Sequence, residues 1–154
     1  MNIRDKYIVI VGCSYFGSNI AASLSEIGND VIVIDIDEEA LDKLPLSYSG
    51  FKIKGDATDI EVLEEAKLRN ADLLLLSTHS DNKNIMIAEI AREYFNVNKI
   101  ISRLYNLDKE IVYKGLDIEI IRPAELAINE FKNIVTAQAS HKDAIFFSFS
   151  LYFC

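Results

Sequence analysis

The sequence predicts an α/β protein: a doubly wound, three-layer parallel sheet of six strands with a C-terminal helix. Two observations lead to this prediction. Short apolar segments alternate along the chain with segments of helical periodicity, which is the pattern of consecutive βαβ units. The apolar segments lack the polar and apolar alternation of a half-exposed strand, so we expect helices to cover both faces of the sheet. With right-handed crossovers, the result is the Rossmann-like doubly wound fold.

The first strand and helix show the pattern most clearly. Residues 7–11 (YIVIV) are rich in β-branched residues and predict a buried strand. In residues 15–28, large apolar side chains recur every three or four positions, which predicts an amphipathic helix that Gly28 ends.

The later elements follow in the same alternating order. Strands are predicted at 31–35, 51–54, 72–77, 99–102 and 118–121, and helices at 37–44, 59–68, 81–95 and 107–115. Asp59 is the expected N-cap of the third helix, and Pro123 begins the last helix at a position that needs no backbone donor. We expect one domain, residues 1–138, that includes this last helix.

The remaining tail, residues 139–154, has no role that the sequence assigns. Its end (AIFFSFSLYFC) is apolar and aromatic. Such a segment exposed to water favours aggregation. We therefore expect either packing on a partner subunit or a chain that continues into a further domain.

Composition excludes several classes of partner. The chain has 154 residues and a formal net charge of −8, which disfavours binding to nucleic acid and to anionic lipid. No apolar run is long enough for direct membrane insertion, and the N-terminus shows no signal peptide. The two cysteines, Cys13 and Cys154, form neither a disulfide framework nor a zinc pattern, so a cytoplasmic protein is expected.

A glycine-containing turn, residues 12–17 (GCSYFG), lies between the first strand and the first helix. Unpaired backbone amides and the positive end of the helix dipole meet at such a turn, and anionic phosphate binds there. Gly12 permits the tight turn and Gly17 the close packing of helix on strand. Ser14 stands where dinucleotide-binding folds have a second glycine, and its hydroxyl is a possible donor to phosphate.

Asp35 ends the second strand and points to a ribose. A carboxylate at this position accepts hydrogen bonds from ribose hydroxyls. The same charge repels a 2′-phosphate, so NADP is disfavoured, and the acids at 37–39 add to that repulsion.

Three further loops follow strands at the edge where ligands bind in this fold. They are GDATD (55–59), STHSDNKN (77–84) and SRL (102–104), all rich in small polar groups. In the first loop the Asp56 carboxylate can accept from an adenine amino group, or it can cap the backbone of its own turn. In the last loop Arg103 is a cation at a strand end, suited either to phosphate or to a surface ion pair.

At these residues the sequence resembles the N-terminal nucleotide-binding domain (RCK/KTN, TrkA-N) of the Trk/Ktr potassium-uptake regulators. The resemblance covers nearly all of residues 6–130 and rests on VGCSYFGSNIA, VIVIDID, GDATD, ADLLLLSTHSDNKN and IISRL. Its more specific marks are GDATD and the Asp-x-x-Asn run from Asp81 to Asn84. The resemblance implies a domain that binds NAD(H), AMP, ADP or ATP without chemistry on them. It also implies a homo-oligomer that gates a membrane potassium transporter or channel from the cytoplasmic side.

The resemblance also implies a set of nucleotide-binding residues. Phosphate would contact the turn of Gly12, Cys13, Ser14, Tyr15, Phe16 and Gly17, and ribose would contact Asp35 and Ile36. Adenine would border Asp56 and Ala57, the phosphate or ribose would be lined by Thr78, His79 and Ser80, and Arg103 would lie near the phosphates or a subunit interface.

The chain departs from the family in ways that affect ligand choice. Tyr15 replaces an arginine that holds terminal phosphates in the family, which favours AMP, ADP or NAD over ATP. The family's Pro-Glu start of the last helix reads Pro-Ala-Glu here, at residues 123–125, so no metal site is expected.

The alternative function is a small NAD-dependent oxidoreductase or an NAD(H) redox sensor. Hydride transfer needs a substrate pocket and usually a proton donor. His79 has no partner acid in the sequence pattern, and Cys13 near a helix N-terminus is a candidate redox thiol. We expect no catalytic residues and no enzyme activity.

Overall fold

The computed structural model describes the backbone of residues 4–150 and the side chains of residues 4–136. Six strands alternate with helices as the sequence predicts. The strands are β1 (Tyr7–Val11), β2 (Asp30–Asp35), β3 (Phe51–Lys54), β4 (Leu73–Leu76), β5 (Ile100–Arg103) and β6 (Glu119–Ile121). The helices are α1 (Tyr15–Glu26), α2 (Glu38–Asp42), α3 (Ile60–Glu65), α4 (Asp81–Glu93), α5 (Glu110–Lys114) and α6 (Pro123–Ser150).

The five helices predicted with both bounds are all shorter in the structure, and in two of them a 3₁₀ turn takes up part of the predicted range. The third was predicted to reach residue 68 but ends at Glu65, because Lys67 adopts a left-handed conformation (φ 49°) and a 3₁₀ turn, Leu68–Asn70, follows. The fifth begins with a 3₁₀ turn, Leu107–Lys109, before α5. Asp59 caps α3 as predicted, its side chain accepting from the backbone N–H of Glu61.

The sheet has the strand order β3-β2-β1-β4-β5-β6, and all the strand pairs are parallel. The chain moves outward from β1 to β3 and then returns to place β4 on the other side of β1. This reversal creates a crevice outside the carboxyl ends of β1 and β4, where ligands bind in doubly wound sheets. The predicted fold class is confirmed.

The core lies on both faces of the sheet, which makes the three layers. Alternate residues of the central strands face opposite sides. On one face, Ile8 and Ile10 pack with Ala21 of α1 and Leu41 of α2. On the other face, the strand residues that point to that side pack with residues of α3, α4 and α5, namely Leu63, Ile87, Ala88, Ala91 and Tyr113. This double coverage explains why the strands carry apolar residues without alternation.

The chain divides into two compact units, Met1–Ile121 and Arg122–Cys154. The sheet and its helices form the first unit. In the second, α6 extends to Ser150, which includes part of the tail defined above. Residues 151–154, and the aromatic side chains predicted to pack on a partner, lie outside the described part of the chain. Across the described residues, no helix combines the length and the apolar character needed to cross a bilayer.

Candidate nucleotide-binding site

A cavity of about 270 Å³ lies at the carboxyl ends of the central strands. It brings together residues from four strand-end loops that are far apart in the sequence. Its walls are Val11, Gly12, Cys13, Ser14, Ile34, Asp35, Ile36, Asp37, Ala40, Gly55, Asp56, Ala57, Ser77, Thr78, His79, Lys83 and Ile87. The cavity therefore combines main-chain groups of the glycine turn with several carboxylates and an apolar floor.

The two glycines of the turn are required by geometry. Gly12 has φ +101°, and a Cβ there would lie 2.7 Å from the backbone of Ser77 and Thr78. A Cβ on Gly17 would lie 2.0 Å from the carbonyl oxygen of Gly12. The Ser77 hydroxyl fixes the turn from the neighbouring strand by donating to the Gly12 carbonyl at 2.8 Å. The helix thus lies directly against the strand, as predicted.

Ser14 replaces a glycine without strain. Its φ of −66° is ordinary for any residue, and it is the N-cap of α1, with its hydroxyl accepting from the Gly17 N–H at 3.4 Å. As a cap the hydroxyl accepts, and its own hydrogen, directed at the Ser77 carbonyl oxygen at 3.5 Å, can still be donated to a phosphate. The remaining amides at the start of α1 have no intrahelical acceptor and are available to an anion.

Asp35 joins the end of β2 to the glycine turn. One carboxylate oxygen, Oδ2, accepts from the Cys13 N–H at 2.6 Å, and the other, Oδ1, accepts from the Asp37 N–H at 2.9 Å. Each oxygen retains a second lone pair that a ribose hydroxyl can use. Ile36 and Asp37 continue the same rim of the cavity.

Asp56 performs the turn-capping role that the sequence left open, and it also lines the cavity. Its Oδ1 accepts from the N–H of Thr58 at 3.0 Å and from the hydroxyl of Thr58 at 2.8 Å. Its Oδ2 accepts from Lys83 Nζ at 2.9 Å. The Thr58 N–H, Lys83 and the Thr58 hydroxyl lower the pKa of Asp56, so it remains a carboxylate. Ala57 is buried beside it.

Thr78 and His79 line the cavity after β4, whereas Ser80 caps α4. The two ends of the Asp-x-x-Asn run, Asp81 and Asn84, are buried. Asp81 accepts from the backbone N–H groups of Tyr105 and Asn106, at 3.0 and 2.8 Å. Asn84 donates to the carbonyl of Arg103 at 3.3 Å. These bonds tie the loop after β5 to the start of α4.

Arg103 lies outside the cavity lining, beside the glycine turn. Its guanidinium carbon is 4.4 Å from the ring centre of Tyr105 and 5.2 Å from that of Phe16, which are cation–π distances. Nη1 is 3.5 Å from the Ser14 hydroxyl, and the buried Nε has no hydrogen-bond partner among the described residues. No carboxylate in the described part of the chain is within ion-pair distance of Arg103. The structure therefore does not favour the surface ion pair that was one of its two predicted roles.

Not every predicted site residue lines the cavity. Tyr15 is 89% exposed. It lies outside the lining, together with Phe16, Gly17, Ser80 and Arg103. Lys83 was missed by sequence reasoning, because a lysine in the first turn of a surface helix gives no signal that distinguishes it from a solvated charge.

Cys13 and His79, the two side chains near the cavity with potential catalytic chemistry, show no catalytic arrangement. Burial, and then Asp35, raise the pKa of Cys13 to about 11, and its thiol donates to the carbonyl of Ala40. The thiol is therefore protonated at neutral pH, which disfavours the interpretation of Cys13 as a redox thiol. His79 contacts the Tyr105 hydroxyl at 3.3 Å. Among the described residues, no His, Cys, Asp and Glu side chains form a group that could hold a metal ion.

Comparison with protein families identifies one match that covers most of the chain. The family model described as the TrkA-N domain matches residues 8–123. That range contains every residue of the cavity.

Curated relatives carry names from potassium uptake. The Trk system potassium uptake protein TrkA of Streptomyces coelicolor is 35% identical over 115 residues, which cover 75% of this chain and 52% of the relative. The TrkA homolog of Methanothermobacter thermautotrophicus is 33% identical over 131 residues, or 84% of this chain and 60% of the relative. The chain thus spans little more than half the length of these relatives.

Solved structures share the fold at lower identity. The TrkA-N domain of inner membrane protein ybaL from Escherichia coli has a TM-score of 0.74 at 20% identity, covering 84% of this chain and 96% of that one. The Shewanella denitrificans Kef CTD in its AMP-bound form has a TM-score of 0.71 at 22% identity, covering 85% and 80%. The ADP-bound GsuK has a TM-score of 0.72 at 22% identity, covering 89% and 35%.

Proposed function

Because the chain belongs to the TrkA-N domain family, we propose that it is a regulatory subunit or domain of a potassium-uptake system, controlled by a bound adenine nucleotide. The nucleotide is NAD(H), AMP, ADP or ATP, and it is held without being consumed. The protein acts as a homo-oligomer in the cytoplasm and reaches the membrane through a potassium transporter or channel subunit.

The observation on which this proposal rests is the cavity between the glycine turn and the strand-end loops. The free amides of α1 suit a phosphate, the Asp35 carboxylate suits ribose hydroxyls, and Asp56 suits an exocyclic amino group. The three subsites follow one another along the crevice in the order phosphate, ribose and base. Asp35 and Asp37 at the ribose rim disfavour a 2′-phosphate and hence NADP.

The relatives support the physiological context. Both of those described above are named Trk system potassium uptake proteins. Proteins of the same fold have been solved with AMP and with ADP. The missing family arginine at Tyr15 leaves Arg103 as the cation beside the turn, which favours AMP, ADP or NAD over ATP.

The mechanism that we propose is a population shift. A nucleotide changes the arrangement of subunits only if it binds one arrangement more tightly than another. The membrane partner then responds to the favoured arrangement. No covalent step on the nucleotide is needed, which agrees with the absence of a nucleophile–base pair among the described cavity residues.

Isothermal titration calorimetry of AMP, ADP, ATP, NAD, NADH and NADP tests the proposal. We expect measurable binding of at least one adenine nucleotide and weaker binding of NADP than of NAD. Asp35→Asn should lower adenine-nucleotide affinity at least about tenfold, because a charged hydrogen bond to ribose is lost. Asp30→Asn is the matched control, at the other end of the same strand, and should leave the affinity unchanged.

Negligible heat for all six nucleotides would contradict nucleotide binding. Sustained NADH consumption in the presence of small carbonyl compounds would instead favour the oxidoreductase alternative.

A further inference from the structure

An ion pair crosses the base end of the cavity. Asp56 follows β3 and Lys83 lies in the first turn of α4, after β4. In the sheet, β2 and β1 lie between these two strands, a span of about 14 Å at ordinary strand spacing. The 2.9 Å contact of Lys83 Nζ with Asp56 Oδ2 therefore reaches over the strand ends that carry Asp35 and the glycine turn.

The pair is accessible from the cavity. Both side chains line it, and they remain 46% and 37% exposed, for Lys83 and Asp56. Thr58 occupies Oδ1 of Asp56 with two hydrogen bonds, so Oδ2 is the oxygen that is turned towards Lys83. A carboxylate oxygen has a second lone pair and an ammonium has three donors. The pair thus presents a hydrogen-bond acceptor and a donor side by side.

The position of the pair assigns it to the base of a nucleotide. The amides of α1 mark the phosphate end, and Asp35 marks the ribose in between. Gly55, Asp56 and Ala57 form the remaining end, where the base lies. A base that reaches this end brings its own polar edge to the lysine and the carboxylate.

We propose that Lys83 and Asp56 together read the 6-position of a purine, and that the site accepts 6-oxopurine nucleotides, of the inosine type, as well as adenine nucleotides. A 6-amino group donates to Asp56 Oδ2, and a 6-oxo group accepts from Lys83 Nζ. A carboxylate without the lysine would reject the 6-oxo base, because two acceptors would then face each other. This inference rests on the proposed nucleotide-binding function.

The test is the affinity ratio of AMP to IMP, measured by calorimetry on the full chain. For the wild type we expect the two dissociation constants to agree within about tenfold. Lys83→Met keeps an unbranched apolar side chain, one atom shorter than lysine, and removes the donor. It should weaken IMP relative to AMP by a further factor of about ten or more, the value of one hydrogen bond to a charged group.

Two control variants make the test specific. Lys83→Arg keeps a cationic donor and should keep IMP binding. Lys99→Met removes a lysine that is also ion-paired, with Glu119, far from the cavity lining, and should leave the ratio unchanged. Thermal unfolding of each variant verifies that it is folded.

The outcomes separate this inference from the function on which it rests. Two results would overturn the proposed recognition of the 6-position and leave nucleotide binding intact. One is that the wild type binds AMP but not IMP, and the other is that Lys83→Met does not change the affinity ratio of AMP to IMP. Failure of both AMP and IMP to bind overturns this inference, whereas the proposed function is overturned only if ADP, ATP, NAD and NADH also fail to bind.

Discussion

Gly12 and Gly17 illustrate how much single residues of the site were predictable. Both were expected from their spacing after a strand, and each proves necessary for a different reason. Gly12 has a positive φ, and a Cβ on Gly17 would lie 2.0 Å from the Gly12 carbonyl oxygen. Ser14 was expected to be a donor to phosphate in place of a second glycine; its hydroxyl caps α1, and its φ of −66° requires no glycine for backbone reasons. Spacing predicts a tight turn, but it does not show which of its positions has an unusual backbone conformation.

Lys83 shows the opposite case at the same scale. Its contact with Asp56 joins residues that are separated by 27 positions, and it depends on the relative placement of two loops. No local pattern encodes such a distance. Similarly, the packing of Arg103 between Phe16 and Tyr105 follows from the sheet order and not from the SRL segment itself.

The close packing at Gly17 gives a prediction for stability. Gly17→Ala places a Cβ against the backbone of Gly12 and the Ser77 hydroxyl, at 2.0 and 2.6 Å. Helix α1 must then move off β1, and we expect a loss of about 2 kcal/mol or more in unfolding free energy. Chemical denaturation measures it.

Gly115→Ala is the matched control for this substitution, because the nearest atom to its Cβ is 3.8 Å away. We expect a change within about 0.5 kcal/mol for this variant. Equal stabilities of the two variants would show that α1 does not lie as close to β1 as described.

At the scale of elements, the start of α4 organises two loops at once. The Asp-x-x-Asn run was predicted only as a mark of the family, and its physical role comes from the structure. Asp81 holds the two amides after β5, and Asn84 contacts the loop after β4 through its 2.6 Å bond to the Thr78 hydroxyl. Arg103 and Tyr105 therefore owe their position beside the glycine turn to a helix from the previous βα unit.

This arrangement predicts a coupled effect for Asp81→Ala. Two backbone amides lose their acceptor at a part-buried position, and each loss costs at most about 1–3 kcal/mol, the value for an amide that water does not reach. We expect a lower melting temperature. We also expect faster hydrogen exchange at residues 104–106, measured by mass spectrometry.

Glu89→Ala provides the control on the same helix, because Glu89 is exposed. It should change neither the melting temperature nor the exchange of the loop. Exchange at residues 104–106 that is unaffected by Asp81→Ala would contradict the anchoring role.

The existence of every strand and α-helix was predictable, but the residues at which they end were less so. The strands were predicted from short, mostly apolar segments that alternate with helical patterns. The end of α3 was missed because nothing in the residue type of Lys67 favours its left-handed conformation. A 3₁₀ turn follows Lys67, and Leu68 in that turn is fully buried in the core.

At the scale of the whole molecule, the parallel sheet and its order of crossovers follow from the alternation of elements and from handedness. The structure that follows β6 cannot be predicted from these two rules. Helix α6 belongs to a separate compact unit, and it carries large exposed apolar side chains: Leu126, Ile128, Phe131, Ile134 and Val135. So many exposed apolar side chains on one helix are unusual in a monomeric protein and are consistent with the homo-oligomer that we propose.

Phe131→Glu tests that proposal. A charge at the 66% exposed Phe131 should oppose association through α6. We expect the variant to have a lower mass in light scattering than the wild type at the same concentration.

Asn129→Glu is the control, two positions away on the other side of the same helix. It should retain the wild-type mass. A wild-type protein that is monomeric with and without nucleotide would argue against regulation through subunit arrangement.

The bonds of Asp35 have a consequence for how the site meets a ligand. The carboxylate is bound to the Cys13 and Asp37 amides, so the protein's own hydrogen bonds fix the main chain of this rim. A nucleotide that binds as proposed therefore needs to order little backbone here. The entropy lost on binding would then fall mainly on the ligand and on water.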